Sequence, residues 1–285
     1  MPYEIFVGLR YLRAKRRNRT ISLNTFVSIA GITLGVAALI GTVGIMTGFK
    51  EVIQAKILGT TAHIIVQDRM KDGMSDYEPT TKRIEEVQDV VAATPFVLKQ
   101  VLLTTPNGVQ GIVLRGIDPQ REGHVTELAK NLGTGELSDL SKPVKIKQPP
   151  ADDPTGPAVE TEKPGIILGK ELAMRLGVFV GDTVNVVSPV GPISAMGMVP
   201  KIRTFAVVGL FHSGMYEYDS SLAYIDLAEA QKFFNMGATV SGIEVKVTDV
   251  FRANDIAHNI EGSLGFVYGA RDSMQKNPNH FSALK

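Results

Sequence analysis

The stretch Phe26-Val-Ser-Ile-Ala-Gly-Ile-Thr-Leu-Gly-Val-Ala-Ala-Leu-Ile-Gly-Thr-Val-Gly-Ile-Met46 lies in a region, 20–49, that contains no aspartate, glutamate, lysine or arginine. As a helix that rises about 1.5 Å per residue, it is long enough to cross a hydrocarbon core of roughly 30 Å. The sequence therefore predicts a transmembrane helix over 25–49. The residues that follow predict that this helix continues as a stalk to about Gly59.

The charges before this helix predict its orientation. The segment 1–24 holds one acid, Glu4, and six cations: Arg10, Arg13, Lys15, Arg16, Arg17 and Arg19. By the positive-inside rule the segment is cytoplasmic and the chain beyond the helix is extracytoplasmic. The segment is either a short amphipathic helix on the inner leaflet or merely a basic flank. A cleaved signal peptide is a weaker alternative, because its apolar core is about 7–15 residues long, and so is a buried helix of a soluble protein.

Small residues recur along the apolar helix at a spacing that favours helix packing. Gly31 and Gly35 form one small-xxx-small pair, and Gly44 and Gly48 form another. Such pairs let two helix backbones approach closely in a membrane. The alternative is chance, since glycine is common in membrane helices.

The composition excludes several kinds of chemistry. The 285 residues carry a formal net charge of +1 and include no cysteine, so disulfides, thiol catalysis and cysteine zinc sites are ruled out. The five histidines show no metal-ligand spacing, and a near-neutral chain gives no indication of nucleic-acid binding. Residues 165–171 only superficially resemble a phosphate-binding loop, because Glu171 stands where a magnesium-binding hydroxyl is needed. The sequence predicts neither an enzyme nor a cofactor or metal site.

The region 60–272 reads as one domain, the core domain, in which strands and helices mix without a regular βαβ repeat. This order predicts an α+β fold. Apolar residues alternate with Glu244 and Lys246, which predicts a half-buried strand over 243–247. Asp226 and Glu229 predict a capping box for a helix over 227–234.

The segment 141–164 differs in composition from its surroundings. It contains six of the fifteen prolines of the chain, interspersed with Asp, Glu, Lys and Thr. Proline donates no backbone hydrogen bond. We therefore expect an exposed loop that sustains neither a helix nor a strand ladder.

A second unusual segment, 189–200, lies between two predicted strands and is here called the arm. Its sequence is Pro189-Val-Gly-Pro-Ile-Ser-Ala-Met-Gly-Met-Val-Pro200, which contains three prolines, two methionines and no charge. Prolines can pre-order a protruding loop, and methionine offers an adaptable apolar surface. The arm is therefore interpreted as a partner-binding loop. The alternative is a loop that folds back onto its own domain.

Ordered motifs along the whole chain resemble those of the LolC/LolE family of lipoprotein-releasing ABC transporter permeases. The motifs are Gly8-Leu-Arg-Tyr-Leu-Arg13, Gly31-Ile-Thr-Leu-Gly35, Met46-Thr-Gly-Phe49, Leu114-Arg-Gly-Ile-Asp118 and Met196-Gly-x-x-Pro200. This resemblance implies a transmembrane helix followed by a MacB-like periplasmic core domain of mixed strands and helices. It also implies that 273–285 approaches a second membrane helix and that the chain covers only part of a longer permease.

The resemblance implies a set of partners in the bacterial inner membrane and periplasm. These are a second LolC/LolE-type permease subunit, LolD-like ATPase subunits, the lipoprotein substrate with membrane lipid, and a LolA-like periplasmic carrier. ATP hydrolysis would then belong to the separate ATPase subunit, and nucleic acid is not among the partners.

The resemblance also assigns roles to individual residues. The arm corresponds to the carrier-binding hook of the family, formed here by Pro189, Pro192, Ile193, Met196, Met198 and Pro200, with Arg203 at a basic position of the surface beneath it. The face of the membrane helix that meets the lipid anchor corresponds to Ile40, Val43 and Met46. Ala195 and Ile202 depart from the family pattern. These departures leave open whether the chain is the carrier-binding subunit or its partner.

Two alternative functions are retained. One keeps the superfamily and makes the chain a MacB-like exporter or an FtsX-like regulator. The other is a periplasmic sensory domain held between two membrane helices. The sequence downstream would separate them, because a permease continues with further membrane helices and a receptor continues with a signalling module.

Overall fold

The computed structural model describes residues 3–13, 19–60, 62–148, 159–189, 193–194 and 197–273. The helices are α1 Tyr3–Arg13, α2 Arg19–Thr60, α3 Tyr77–Glu85, α4 Glu122–Val125, α5 Leu128–Asn131, α6 Lys170–Leu176, α7 Tyr216–Ser221, α8 Leu227–Phe234 and α9 Ala253–Leu264, with 3-10 turns at Leu137–Ser141 and Val250–Arg252. The strands are β1 Ile64–Asp68, β2 Val90–Thr105, β3 Gly108–Ile117, β4 Leu132–Thr134, β5 Val144–Gln148, β6 Val159–Lys163, β7 Gly165–Gly169, β8 Thr183–Ser188, β9 Ile193–Ser194, β10 Gly197–Met198, β11 Lys201–Phe211, β12 Leu222–Asp226, β13 Gly242–Val247 and β14 Tyr268–Asp272.

The chain divides into two compact units, Met1–Gln54 and Ala55–Lys285. The first unit holds α1 and most of α2, in which Leu23–Phe49 has a mean hydropathy of 2.1 and is long and apolar enough to cross a membrane. Hydroxyl groups within this span donate to carbonyls one turn earlier, as from Thr33 to Ile29 and from Thr42 to Ala38, both at 2.8 Å. A polar side chain satisfied by its own helix is compatible with an apolar environment.

The second unit is built around six strands that pair in a closed cycle, here called the ring. β2 pairs with β3, β3 with β12, β12 with β7, β7 with β11, and β11 with β8. β8 returns to β2, where Val187 lies opposite Leu102. The cycle closes because β2 has 16 residues, so that one of its edges pairs first with β13 and then with β8. β1 and β14 extend the sheet beyond β13, and β4 pairs with β11.

Alternation of side chains along each strand gives the ring an apolar interior and a partly covered exterior. The interior is filled by buried residues from all six strands: Val101, Leu103, Ile112, Leu114, Ala223, Ile225, Ile166, Leu168, Phe205, Val207, Val184 and Val186. On the exterior, α5 and the 3-10 turn at Leu137–Ser141 cover a second cluster: Ile117, Leu128, Leu137, Leu140, Ile167, Phe211, Leu222 and Tyr224. The elements mix without a βαβ repeat, so the prediction of an α+β fold is confirmed.

The prediction that 141–164 lacks a strand ladder is wrong. β5 and β6 pair antiparallel and place Lys145 opposite Glu162, a favourable cross-strand pair. Both strands avoid proline, because every proline of the segment lies outside them: Pro143, Pro149, Pro150, Pro154, Pro157 and Pro164. The high proline content of the whole segment therefore concealed two strands that contain no proline. Residues 149–158 lie outside the described residues.

Only one of the two predicted capping contacts of α8 is present. The carboxylate of Asp226 accepts a hydrogen bond from the backbone N–H of Ala228 at 2.9 Å. Glu229, the expected partner in a capping box, instead forms an ion pair with Arg203 of β11. The start of the helix was therefore predicted correctly, whereas the contact of Glu229 depends on the tertiary structure.

Candidate partner-binding arm

The arm leaves the ring between β8 and β11. Ser188 and Lys201 are the last paired residues of these strands, so the two ends of the arm are held side by side. Within the arm, β9 and β10 pair antiparallel, with Ile193 opposite Met198. The described backbone is thus a hairpin that continues beyond the ring.

The residues proposed for the arm are described to different extents. Pro189 and Pro200 lie at its two ends and are exposed. The backbones of Ile193 and Met198 belong to β9 and β10. Pro192 and Met196, together with Ala195, lie outside the described residues.

Beside the arm, the exterior of the ring is apolar and uncovered. Leu102 is opposite Val187, and Val187 is opposite Ile202, so the three form a row across β2, β8 and β11. Ile202 is 63% exposed and Leu102 is 41% exposed. Next to this row is a cleft of about 370 Å³, which is lined by Gln100, Val101, Leu102, Gly111, Ile112, Val113, Pro189 and Ser221.

Arg203 does not share a face with Ile202, because successive side chains of a strand point to opposite faces. It lies opposite Val186, whose side chain is buried in the interior of the ring. The guanidinium forms an ion pair with Glu229 and lies 5.6 Å from the centre of the Phe205 ring. The structure therefore directs Arg203 toward α8, whereas Ile202 is the residue that points outward.

Lys201 is held by the same helix. Its Nζ donates to Asn235 Oδ1 at 2.8 Å and to the carbonyl of Lys232 at 3.3 Å. Both acceptors lie at the C-terminus of α8, where free carbonyls and the helix dipole attract a cation. The first residues after the arm are thus attached to α8 by two basic side chains.

Comparison with known proteins supplies the family. The sequence model of the MacB-like periplasmic core domain matches residues 25–263. The chain belongs to this family. LolC, the lipoprotein-releasing system transmembrane protein of Neisseria meningitidis serogroup B, is 34% identical to it over 99% of this chain and 63% of its own length. LolC of Xylella fastidiosa strain Temecula1 is also 34% identical, over 100% of this chain and 63% of its own length.

These matches confirm the predicted resemblance to the LolC/LolE family, and they disfavour the sensory-domain alternative. The chain spans 63% of the length of the LolC relatives it matches. The solved periplasmic region of MacB from Actinobacillus actinomycetemcomitans is 13% identical, with a TM-score of 0.46 over 77% of this chain and 92% of that one. The chain thus joins a helix able to span a membrane to a MacB-like periplasmic core domain.

The residues proposed to meet lipid lie on the apolar part of α2. Ile40, Val43 and Met46 are exposed, like the other side chains of the span 23–49, so their exposure does not test this role. Side-chain carbons placed on Gly31, Gly35, Gly44 and Gly48 would meet no other atom within 4 Å. Packing at these glycines would therefore need a helix that is not among the described residues.

The MacB-like core domain also contains a buried ionic cluster that the sequence did not reveal. Arg115 of β3 pairs with Glu244 of β13, and their side chains are only 8% and 6% exposed. The guanidinium lies 5.8 Å from the ring centre of Phe96 and 5.6 Å from that of Tyr224. The predicted strand over 243–247 is confirmed as β13, but the expectation that it is half-buried is wrong, because Glu244 is also buried.

A second acid, Glu122 of α4, is fully buried beside this pair. It accepts a hydrogen bond from the Thr126 hydroxyl at 2.9 Å, while its Oε2 has no hydrogen-bond partner among the described residues. Burial raises the pKa of Glu122 to about 7, although the charge of Arg115 opposes the shift. Burial by itself would lower the pKa of Arg115, but Glu244, Tyr224 and Glu122 raise it overall, so Arg115 stays charged.

The described residues provide no evident catalytic centre. Among them, no group of three or more histidine, aspartate or glutamate side chains is placed to hold a metal ion. His212 is oriented by Asp219, whose carboxylate lies 2.7 Å from its Nδ1 and also accepts from the Ser213 hydroxyl at 2.7 Å. Because Asp219 is buried and also binds the backbone of Ser213, this arrangement fixes the chain after β11.

Proposed function

We propose that this chain is part of a permease subunit of an ABC transporter that extracts lipoproteins from the bacterial inner membrane. The observation that carries the proposal is the 34% identity to LolC proteins, which extends over practically the whole chain. The MacB-like core domain and the apolar span of α2 support it. A MacB- or FtsX-type permease with another cargo is the second candidate, because the domain family includes MacB-like proteins.

In this proposal the chain is oriented by its charges. The basic segment 1–24 lies in the cytoplasm, α2 crosses the inner membrane, and the core domain (60–272) lies in the periplasm, with 273–285 leading toward a further membrane helix. A second LolC/LolE-type permease subunit completes the membrane part. LolD-like subunits hydrolyse ATP, and a LolA-like carrier receives the lipoprotein.

The arm is the proposed docking site for the carrier. Pro189, Pro192 and Pro200 hold it extended, while Ile193, Met196 and Met198 supply apolar contact area. The closed ring supports this role, because the arm begins and ends on two strands that pair with each other and are locked into the cycle. A pre-ordered arm loses little conformational freedom on binding, which favours affinity.

The membrane helix is the proposed route of the lipid anchor. At about 100° per residue, Ile40, Val43 and Met46 form a stripe roughly 120° wide on α2. By the same geometry the pairs Gly31/Gly35 and Gly44/Gly48 lie roughly on opposite sides of the helix, one on each side of the stripe. Two neighbouring helices could therefore pack close to α2 and leave the stripe facing a cavity for acyl chains.

Carrier binding tests the docking role. The protein, purified in nanodiscs, is titrated with a purified LolA carrier in a calorimeter, and we expect saturable one-to-one binding. A protein with residues 190–199 replaced by a Gly-Ser turn of two residues is the control and is expected not to bind. If the wild-type protein does not bind, the carrier-docking role is wrong and the chain belongs to the subunit that does not contact the carrier.

Crosslinking tests the lipid route. A photoreactive amino acid at Met46 in the full-length permease is expected to capture lipoprotein when the complete complex is present. The matched control is Ile45, one residue earlier, which points about 100° away from Met46 on the helix. Equal capture at both positions, or no capture at Met46, would contradict the proposed stripe.

A further inference from the structure

The ten-stranded sheet of the core domain ends, among the residues that the structure describes, at β4 and β14. A terminal strand has backbone groups that can pair with a strand of another molecule. β4 has only three residues and offers little for a new ladder. β14 has five residues and, among the described strands, pairs with β1 alone. The outer side of β14 is therefore where pairing with another molecule is expected.

A carboxylate from α9 occupies this outer side. The backbone N–H of Ala270 donates to Glu261 Oε1 at 2.9 Å, so it takes no part in the ladder with β1. Two residues earlier, on the same side of the strand, the N–H of Tyr268 donates to the carbonyl of Gly265 at 3.3 Å. Two successive outward donors of β14 are thus bonded by α9 and by the turn that follows it.

Arg69, which follows β1 in the chain, holds this carboxylate in place. It forms an ion pair with Glu261, and its guanidinium lies 5.3 Å from the centre of the Phe266 ring. A side-chain carbon on Gly269 would lie 2.8 Å from Arg69 Nε, so the arginine side chain lies directly on the backbone of β14. Burial by itself would raise the pKa of Glu261, but the hydrogen bond from Ala270 and the contact with Arg69 lower it overall.

The position of Glu261 in α9 is unfavourable for the helix itself. The residue lies in the last turn of Ala253–Leu264, where free carbonyls and the helix dipole repel an anion. The rest of that turn, 262–264, carries no charge that would offset it. The carboxylate is therefore stabilised by its contacts outside the helix, with Ala270 and Arg69.

The surroundings of β14 would favour pairing if this carboxylate were absent. Phe266 and Val267, which lead into the strand, are exposed, and so is Met70, next to Arg69 in the chain. An exposed apolar edge strand is a site of association. A second copy of the chain offers an identical edge, and two identical strands can pair antiparallel around a two-fold axis. Copies anchored in one membrane would meet at a high effective concentration.

We propose that Glu261, positioned by Arg69, closes the outer edge of β14 and prevents it from pairing with β14 of a second copy of this chain. The inference does not depend on the proposed transport function, because it rests on contacts within the core domain. Neither side chain belongs to the two apolar clusters, so removal of the carboxylate is expected to open the edge without disrupting the core.

Hydrogen exchange and light scattering on the full chain in detergent micelles test the proposal. In Glu261→Ala at low protein concentration, the amide of Ala270 should exchange about tenfold faster than in wild type, because its acceptor is gone. Self-association should become at least about tenfold tighter. Asp255→Ala, which removes an acid from the first turn of the same helix, is the matched control and should behave like wild type in both measurements.

Cross-linking identifies the surface that the copies use. The chain contains no cysteine, so Arg271→Cys places a single thiol at an exposed position of β14. A short bismaleimide should join two copies when Glu261→Ala is also present and should not join them when Glu261 is intact. Lys82→Cys, at an exposed position of α3, is the control and should not cross-link in either background.

Three results would overturn the proposal. Unchanged exchange at Ala270 would show that Glu261 does not cover the edge. Faster exchange without tighter association would show that the open edge does not attract a second copy, and association without cross-linking at 271 would place the contact elsewhere. If Glu261→Ala does not fold, Arg69→Met, which keeps the apolar stem and removes the charge that holds Glu261, is measured in the same three ways with the same expectations.

Discussion

Two arginine–glutamate pairs in the core domain differ in burial and, we infer, in their contribution to stability. Arg115 and Glu244 lie on β3 and β13, the two strands that flank β2, and their side chains are 8% and 6% exposed. Arg203 and Glu229 join the root of the arm to α8 and remain 26% and 28% exposed. A deeply buried pair loses its hydration, so removing one member leaves an uncompensated charge, whereas water can reach the members of a half-exposed pair. We therefore expect the first pair to contribute much more to the stability of the domain than the second.

The largest effect is expected from breaking the buried pair. Arg115→Met leaves Glu244 without its partner, and it should reduce the free energy of unfolding by about 3–5 kcal/mol. Thermal or denaturant unfolding of the purified protein measures this loss. The double variant Arg115→Met/Glu244→Leu should recover most of it. Arg252→Met, which removes the exposed pair with Asp89, is the matched control and should cost less than about 1 kcal/mol.

The next effect concerns Glu122, which shares the environment of the buried pair. Burial raises the pKa of Glu122 to about 7, above the ordinary value of 4.5 for a glutamate. Between these two pKa values, the Glu122 carboxyl is protonated in the folded protein and ionised in the unfolded chain. The contribution of Glu122 to stability should be largest below about pH 4.5, decline as the pH rises, and be lost above about pH 7, a change on the order of 3 kcal/mol.

Glu122→Gln provides the control for this pH dependence. The variant keeps the shape of the side chain and cannot titrate, so the difference in unfolding free energy between it and the wild type isolates the contribution of this carboxyl group. Denaturant unfolding at pH 5, 6, 7 and 8 gives the comparison. Parallel curves for the two proteins would show that Glu122 is not the group that titrates.

Unlike substitutions in the buried cluster, a substitution in the arm should weaken binding without reducing stability. Met196→Asp places a charge in the apolar contact surface and should reduce affinity for the LolA carrier about thirtyfold, which corresponds to about 2 kcal/mol. The melting temperature should stay unchanged, because we expect the arm to protrude from the domain and a surface substitution costs little stability. Met70→Asp, at an exposed methionine after β1, is the control and should bind normally.

The smallest effect tests the comparison directly. Glu229→Gln breaks the half-exposed pair and should reduce the free energy of unfolding by less than about 1 kcal/mol. Glu244→Gln makes the same chemical change in the buried pair and should cost several times more. Equal losses in the two variants would mean that burial does not separate the two pairs.

The sequence by itself determined the features that depend only on a short stretch of the chain. The uncharged run 20–49 and the six cations before it specify a membrane helix and its expected orientation, because hydrophobic length and charge asymmetry are properties of a short segment. The α+β class and the cap of α8 at Asp226 were likewise predictable. The arm stood out for the same reason, since its prolines and methionines lie within one short stretch of the chain, 189–200.

Only the tertiary structure decided features that depend on distant partners. The ring closes through the pairing of β2 with β8, and Glu244 is buried because Arg115 meets it from 129 residues away. Strand alternation by itself could not show that Arg203 is directed to α8, since that depends on which face of β11 the helix covers. The sequence specifies the charge of a side chain, whereas the fold determines whether that side chain contacts an opposite charge or water.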